Sequence, residues 1–306
     1  MRIVFFGTPD FAAEVLEFLI QKRENIVAVV SKPDKAQGRS KQLVPVPVKL
    51  IAEKHGIPVY QPEKISDPSN VELIQGFNAD LFVVVAYGEI LKEHVLKAPK
   101  IACINLHASL LPKYRGAAPI QRAIMNGEIE SGVTIMHMVK KMDAGNMIAH
   151  GTVPISQEMT AGELGRSLIE IGSLMMLQVI EAFKKGTPSE IVQDESKVTF
   201  APKIELEECR IDWSRTSTEI HNLIRGVNPE PGAWAMVEVN GQAKRLRVFK
   251  SLDHSEKQIA LGEQQQQFVG CGQGSLELLE VQPEGKKRMP FQDFLRGQSQ
   301  RPIKFF

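Results

Sequence analysis

Short apolar runs recur through the first half of the chain, and each is followed by a stretch with helical spacing. The runs are RIVFFG (2–7), IVAVVS (26–31), IPVY (57–60), the wholly apolar 80–86, the start of IACINLH (101–107), VTIMHM (133–138) and MIAHGTVPI (147–155). Runs without strict alternation fit strands buried on both faces of a parallel sheet. Between them, helices are predicted at 9–22, with Phe11, Val15, Leu16 and Leu19 on one face, and at 46–55, 68–77 and 117–126. Thr8 and Pro9 read as the cap and first-turn proline of the first helix. Thr160 and Glu163 form a capping box that opens a long helix through Leu164, Leu168, Ile171, Leu174 and Leu177 to Phe183. Alternation of strand and helix predicts an α/β domain with a mostly parallel, Rossmann-like sheet.

The pattern changes after Gly186-Thr187-Pro188. Residues 187–208 lack helical periodicity and read as a linker. WSRTSTEIHNLIRG (213–226) reads as one amphipathic helix with Gly226 as its C-cap. Short runs then alternate with glycine turns: AWAMVEVNG, QAKRLRVFKS, QQFVGCG and GSLELLEVQP. These predict a small β-barrel of OB-like type, closed by the helix FQDFLRG. The expected division is a first domain at 1–186, a linker at 187–208 and a barrel domain at 209–306.

Chemistry concentrates in IACINLHASLLPKYRG (101–116). Residues i and i+2 of a strand share a face, so Asn105 and His107 stand side by side where the strand ends. In an open α/β sheet that edge is where ligands bind. A plain hydrogen-bonded pair is the ordinary alternative for an Asn-x-His at a strand end. Tyr87 and Gly88 fall at the same end of the 80–86 run. HMVKKMDAGNMI (137–148) makes a turn with Asp143-Ala-Gly145 at its tip, and its His137 reads as structural. Cys103 shares the parity of Asn105 but lies deeper, as a small buried hydrophobe. Only Gly7 stands for the glycines of a GxGxxG fingerprint, so no dinucleotide cofactor is expected. Lys32, Lys35, Arg39, Lys41 and Lys49 surround Gly38 against Asp34, which is either a phosphate-contacting loop or a solvated basic one.

Taken together, GTPDF (7–11), Asn105-x-His107 with SLLPKYRG after it, the Asp143 segment and VNPEPGAW (227–234) resemble the folate-dependent formyltransferase family. The resemblance implies formyl transfer from 10-formyltetrahydrofolate to an amine through a tetrahedral oxyanion. It implies Asn105, His107 and Asp143 as catalytic groups, Ser109, Leu110, Leu111 and Pro112 as lining of the folate site, and Phe11 as facing the site. Those residue types suit the reaction. An Asn amide donates to an oxyanion. An imidazolium supplies the proton that the leaving nitrogen needs, and a carboxylate beside it favours its charged form. For a chain that also carries such a barrel and basic loop, the resemblance implies initiator methionyl-tRNA as the acceptor, with Arg39 first and Lys41 second at its acceptor-stem end. Members that formylate a small amine, glycinamide ribonucleotide or a sugar nucleotide, share the active-site core. A noncatalytic RNA-binding protein on the same scaffold is the reading from another class.

Composition narrows this little further. The chain has 306 residues, 43% hydrophobic and 24% charged, with a net charge of +1, so RNA contact must rest on local patches. Cys103, Cys209 and Cys271 form no CxxC pair, and no ligand spacing implies a metal. The first residues begin directly as a strand, without a leader pattern, and no apolar run approaches a membrane span. A cytoplasmic monomer is the expectation.

Overall fold

A computed structural model describes residues 1–37, 42–239, 241–298 and 303–306. In chain order the elements of the first half are β1 (Ile3–Gly7), α1 (Asp10–Gln21), β2 (Ile26–Val30), β3 (Lys35–Gln37), β4 (Gln42–Val44), α2 (Pro47–Lys54), β5 (Val59–Tyr60), α3 (Val71–Gly76), β6 (Leu81–Val85), α4 (Glu93–Leu96), β7 (Ala102–His107), β8 (Arg115–Gly116), α5 (Pro119–Met125), β9 (Glu130–His137), β10 (Met147–Pro154) and α6 (Ala161–Lys185). The second half adds β11 (Phe200–Ala201), α7 (Ser217–Gly226), β12 (Ala233–Val239), β13 (Gln242–His254), β14 (Gln264–Gln265), β15 (Phe268–Gly270), β16 (Ser275–Pro283), β17 (Met289–Pro290), α8 (Phe291–Arg296) and β18 (Lys304–Phe305).

The chain forms two compact units. One comprises Met1–Gly116, Gly132–Val153 and Gly165–Phe200; the other comprises Ala117–Ser131, Pro154–Leu164 and Ala201–Phe306. The first holds a seven-stranded sheet ordered β10-β9-β7-β6-β1-β2-β5. β1, β2, β5, β6 and β7 run parallel, and β9 lies antiparallel to β7. Every residue of β1, β6 and β7 is buried, as strands covered on both faces must be. The chain winds from β1 to β2 and β5, then returns to β6 and β7 on the other side. The order therefore reverses between β1 and β6, the kind of position beyond whose carboxyl ends ligands bind in open α/β sheets.

Aromatic packing fixes that switch point. Phe6 lies against Phe82 at 4.9 Å and meets Tyr87 edge-on at 5.5 Å between ring centroids. Burial of each such ring stabilises by roughly 1.5–3 kcal/mol. Gly7 pairs with Val85, and a Cβ on Gly7 would lie 2.7 Å from the Ala12 Cβ and 3.1 Å from the Val85 carbonyl oxygen. Thr8 does not cap α1. Pro9 is the N-cap residue and supplies no side-chain bond. The Thr8 hydroxyl instead donates to the Tyr87 carbonyl at 2.9 Å, tying the two strand ends together.

Other local expectations shift for comparable reasons. The 68–77 helix is a 3-10 turn at Pro68–Asn70 followed by α3. Part of the basic loop folds as a β3–β4 hairpin, pairing Lys35 with Val44 and Ala36 with Leu43. The Thr160–Glu163 capping box is formed, with Glu163 accepting from the Thr160 amide at 2.8 Å.

In the second unit, α7 starts at Ser217 because Thr216 and Glu219 cap it reciprocally. Trp213 therefore lies outside the helix, buried edge-on against Phe305 at 5.1 Å. Gly226 is the last helical residue rather than a positive-φ cap. Its Cβ would sit 2.6 Å from Met125 Cγ, so glycine there permits close approach of α7 to α5. The antiparallel sheet runs β14-β15-β16-β13-β12-β18. β18 pairs with β12 on one side. On the other, Lys304 bridges Glu263, and the Phe305 amide donates to the Gly262 carbonyl at 3.0 Å. Gly262 and Glu263 lead into β14, so the sheet closes on itself as the expected barrel.

Gly7→Ala tests the tightness of the switch point. The added methyl meets backbone and buried side chains, and a loss of about 1–3 kcal/mol is expected. Urea unfolding of the variant against the parent measures it.

Candidate active site

β7 carries both polar residues of the strand end. Asn105 is opposite Met136 of β9, and His107 is opposite Thr134. Both are buried, at 9% and 6% exposure. Among the described residues the Asn105 side chain makes no hydrogen bond, and its amide atoms are not among the fully buried polar atoms left without a partner, so the amide keeps some exposure at a sheet edge where ligands bind. That is the feature a formyl oxygen would fit.

The His107 ring is held from two sides. Nε2 lies 2.9 Å from the carbonyl oxygen of Tyr114, which can only accept, so Nε2 carries a hydrogen. Nδ1 faces Asp143 Oδ2 at 3.7 Å. That is an ion-pair distance, longer than a direct hydrogen bond. With Nε2–H committed to Tyr114, a second proton on Nδ1 makes the approach to the carboxylate attractive. The structure thus brings Asn105, His107 and Asp143 of the sequence reading to one strand end and the turn beside it.

Backbone conformation at this edge is unusual. Ala86, Tyr114 and Asp143 have φ of +45°, +60° and +51°. Left-handed non-glycine residues cost roughly 1–3 kcal/mol each and persist only where surroundings fix them. Tyr114 is fixed by its amide, which donates to Thr199 Oγ1 at 2.9 Å. The Asp143 Oδ2 accepts from the Gly116 amide at 2.8 Å. Its carbonyl oxygen accepts from Gln193 Nε2 at 2.8 Å, as does that of Gly145. Gly145 has no room for a side chain, since a Cβ would fall 1.8 Å from the His137 carbonyl oxygen.

Arg115 is almost wholly buried and structural. Its Nε and Nη2 donate to Gln193 Oε1 at 3.1 and 2.7 Å, and Nη2 also donates to Glu195 Oε1 at 2.8 Å. Sequence reasoning missed Gln193, Glu195 and Thr199. All three lie in the stretch read as a linker, where composition gives no sign of partners. That stretch is packed into the first unit: Ile191 exchanges both backbone hydrogen bonds with Met147 at 2.8 Å, and Gln193 is buried.

The loop after β7 is built largely from its own bonds. Ser109 Oγ donates to the Lys113 carbonyl at 2.7 Å, and Thr134 Oγ1 donates to the Ser109 carbonyl at 2.7 Å while accepting from the Leu111 amide. Ser109 and Leu111 are buried, whereas Leu110 and Pro112 are half-buried and keep surface to offer. Phe11 is half-buried in the first turn of α1, just past the end of β1. Tyr87 is buried with no partner for its hydroxyl among the described residues, and burial pushes that hydroxyl's pKa up. Burial likewise raises the Cys103 thiol to about 12, so it is inert at neutral pH. His137 Nε2 lies 2.9 Å from Glu190 Oε1 but is not aligned for a hydrogen bond.

The basic segment is less free than its composition suggests. Lys49 sits on α2 and bonds Asp34 at 2.6 Å. Gln61 and then Lys49 hold the Asp34 carboxyl below the usual range. Lys32 pairs with Glu89 at 3.1 Å. Arg39 and Lys41 lie outside the described residues.

Comparison with known proteins bears on the family and the fold. Residues 1–180 match the formyl transferase family, and residues 203–299 match its C-terminal domain. The chain is 53% identical over 318 residues to the methionyl-tRNA formyltransferase of Protochlamydia amoebophila, covering 100% of this chain and 98% of that one. It is 45% identical over 312 residues to the enzyme of the same name from Chlamydia abortus, covering 99% and 97%. Among solved structures, WlaRD, a sugar 3N-formyl transferase determined in the presence of dTdp and 5-N-formyl-THF, shares the fold with a TM-score of 0.67 at 20% identity, covering 94% of this chain and 99% of that one.

Hydrogen bonds from Arg115 first and Lys141 second hold the Glu195 carboxyl down to about 2, against an ordinary 4.5. A lowered folded-state value stabilises fully above the ordinary one and is lost as pH falls from about 4.5 toward 2. Glu195→Gln should therefore lower the melting temperature at neutral pH while leaving the value near pH 2 close to the parent's, which flattens the fall across that acid window. Thermal unfolding against pH, variant beside parent, reads the difference.

Proposed function

The chain belongs to the formyl transferase family in both its amino- and carboxyl-terminal parts, and from that premise we propose that it transfers the formyl group of 10-formyltetrahydrofolate to the α-amine of initiator methionyl-tRNA. The observation that carries the chemistry is the buried, unpartnered Asn105 amide beside His107, with Asp143 3.7 Å from the ring. The observation that carries the acceptor is the likeness, over the full chain, to relatives named methionyl-tRNA formyltransferase.

The folate donor supplies an activated formyl carbon, and the methionyl α-amine supplies the nucleophile. Each residue then has one task. Asn105 donates to the formyl oxygen as negative charge develops there. His107 gives the proton that the leaving folate nitrogen requires, from Nδ1 and not from the Nε2–H that Tyr114 holds. Asp143 sets its negative charge against the His107 ring and takes up the proton lost by the attacking amine, directly or through water. No serine or cysteine nucleophile is needed, because the acceptor brings its own amine. Leu110, Leu111, Pro112 and Phe11 give the folate an apolar wall, and Ser109 shapes that wall through its bond to Lys113. Arg39 and Lys41 approach the acceptor-stem phosphates, and the barrel domain at 209–306 holds the body of the tRNA. The protein works as a monomer in the cytoplasm. Among the described residues no helix is long and apolar enough to cross a membrane.

His107→Ala should lower kcat for formylation of methionyl-tRNA by about 10²–10⁴, and Asn105→Ala by about 10²–10³, each with tRNA binding retained. Undiminished formylation by His107→Ala would refute the catalytic assignment. Arg39→Ala should weaken tRNA use and reduce the salt slope of binding by about one, leaving folate affinity unchanged; an equal loss of folate binding would contradict that division of tasks.

A further inference from the structure

Asp143 must present its carboxylate to His107 from a backbone conformation that aspartate adopts at a cost, with φ at +51°. Its turn has few anchors of its own. Gly145 cannot carry a side chain, and Lys141 and Met142 are exposed. Lys141 and Asn146 tie the flanks of the turn to Glu195 and Glu190, at 2.6 and 2.9 Å, and Gln193, 50 residues further along, holds the carbonyls at its centre.

Gln193 uses both ends of its amide. Nε2 donates to the carbonyl oxygens of Asp143 and Gly145, each at 2.8 Å. Oε1 accepts twice from Arg115, at 3.1 and 2.7 Å. Arg115 is the neighbour of Gly116, whose amide grips the Asp143 Oδ2 that faces His107. The bonds therefore close a ring: Asp143 carboxylate, Gly116 amide, Arg115 guanidinium, Gln193 amide, Asp143 carbonyl. Two carbonyl oxygens on one side and a guanidinium on the other demand a group that donates at one end and accepts at the other. Among uncharged side chains, only the amides of glutamine and the shorter asparagine offer two N–H donors at one end and an acceptor at the other.

We infer that Gln193 is a positioning residue for catalysis, holding Asp143 in its left-handed conformation so that the carboxylate meets His107. It touches no substrate in this account and acts only through Asp143. The inference rests on the proposed role of Asp143.

The test is a double-mutant cycle with a second readout that needs no substrate. Gln193→Met keeps length and removes both bonding ends. It should lower kcat for methionyl-tRNA by roughly 10- to 100-fold, the effect of a misplaced catalytic group, with both KM values within about twofold. In an Asp143→Asn background the same change should cost nothing further. An equal loss in that background, a loss confined to KM, or an unchanged kcat would each overturn the inference. Gln193→Glu keeps the oxygen that accepts from Arg115 but cannot donate to the Asp143 and Gly145 carbonyls. It should match Gln193→Met, and normal kcat in this variant would likewise overturn the inference. The substrate-free readout is amide hydrogen exchange. The Gly116 amide should exchange at least about tenfold faster in Gln193→Met, while the Arg115 amide, bonded to the Thr199 carbonyl at 2.9 Å, keeps its protection. Unchanged Gly116 exchange refutes the positioning role even where the parent protein proves inactive on methionyl-tRNA, an outcome that would count against the acceptor assignment alone.

Discussion

The site depends on bringing a carboxylate from one turn to an imidazole at the end of a different strand. The 3.7 Å between Asp143 Oδ2 and His107 Nδ1 is set by backbone, not by those two side chains. β7 delivers His107 to the sheet edge, and β9 runs antiparallel beside it, with Thr134 opposite His107 and His137 opposite Ile104. The turn that follows β9 must therefore fold back toward the His107 end to bring the carboxylate to the ring. The carbonyl of Tyr114 and the amide of Gly116 then lock the two partners, the ring through Nε2 and the carboxylate through Oδ2. Both locks come from one loop, SLLPKYRG, which is itself held by Thr134, Gln193, Glu195 and Thr199.

That loop also separates two roles that composition alone would merge. Its polar members are consumed in structure: Ser109 on Lys113, Arg115 on Gln193 and Glu195. Leu110 and Pro112 retain surface. Asn105 makes no hydrogen bond among the described residues, yet it is not sealed off as the unpartnered Tyr87 hydroxyl is, and this singles it out. A residue satisfied by the fold has no donor to spare for a developing charge, whereas Asn105 does.

Much of this was legible in the sequence. Period-two geometry placed Asn105 beside His107, unbroken apolar runs marked the parallel strands, and glycine-punctuated short runs marked the barrel. Motif resemblance brought in Asp143, which spacing could not have done. What escaped detection was nonlocal. Thr8 fits a helix cap by every local rule, yet its hydroxyl bonds Tyr87, 79 residues away. Trp213 fits the face of an amphipathic helix, yet the Thr216–Glu219 box starts the helix later and frees the indole for the barrel core. Gln193 sits among polar residues without periodicity, and nothing in its neighbours indicates a buried amide spanning Arg115 and the Asp143 turn. Lys32 and Lys49 look like free cations by composition, but Glu89 and Asp34 claim them.

The central claim is that this site formylates the amine of methionyl-tRNA. It is tested most directly by offering 10-formyltetrahydrofolate with methionyl-tRNA and with glycinamide ribonucleotide in parallel, and following formylated product on each. The account predicts product on methionyl-tRNA and none on the small amine. Product on glycinamide ribonucleotide alone would leave Asn105, His107 and Asp143 in their roles but contradict the acceptor, and with it the tasks given to Arg39, Lys41 and the barrel.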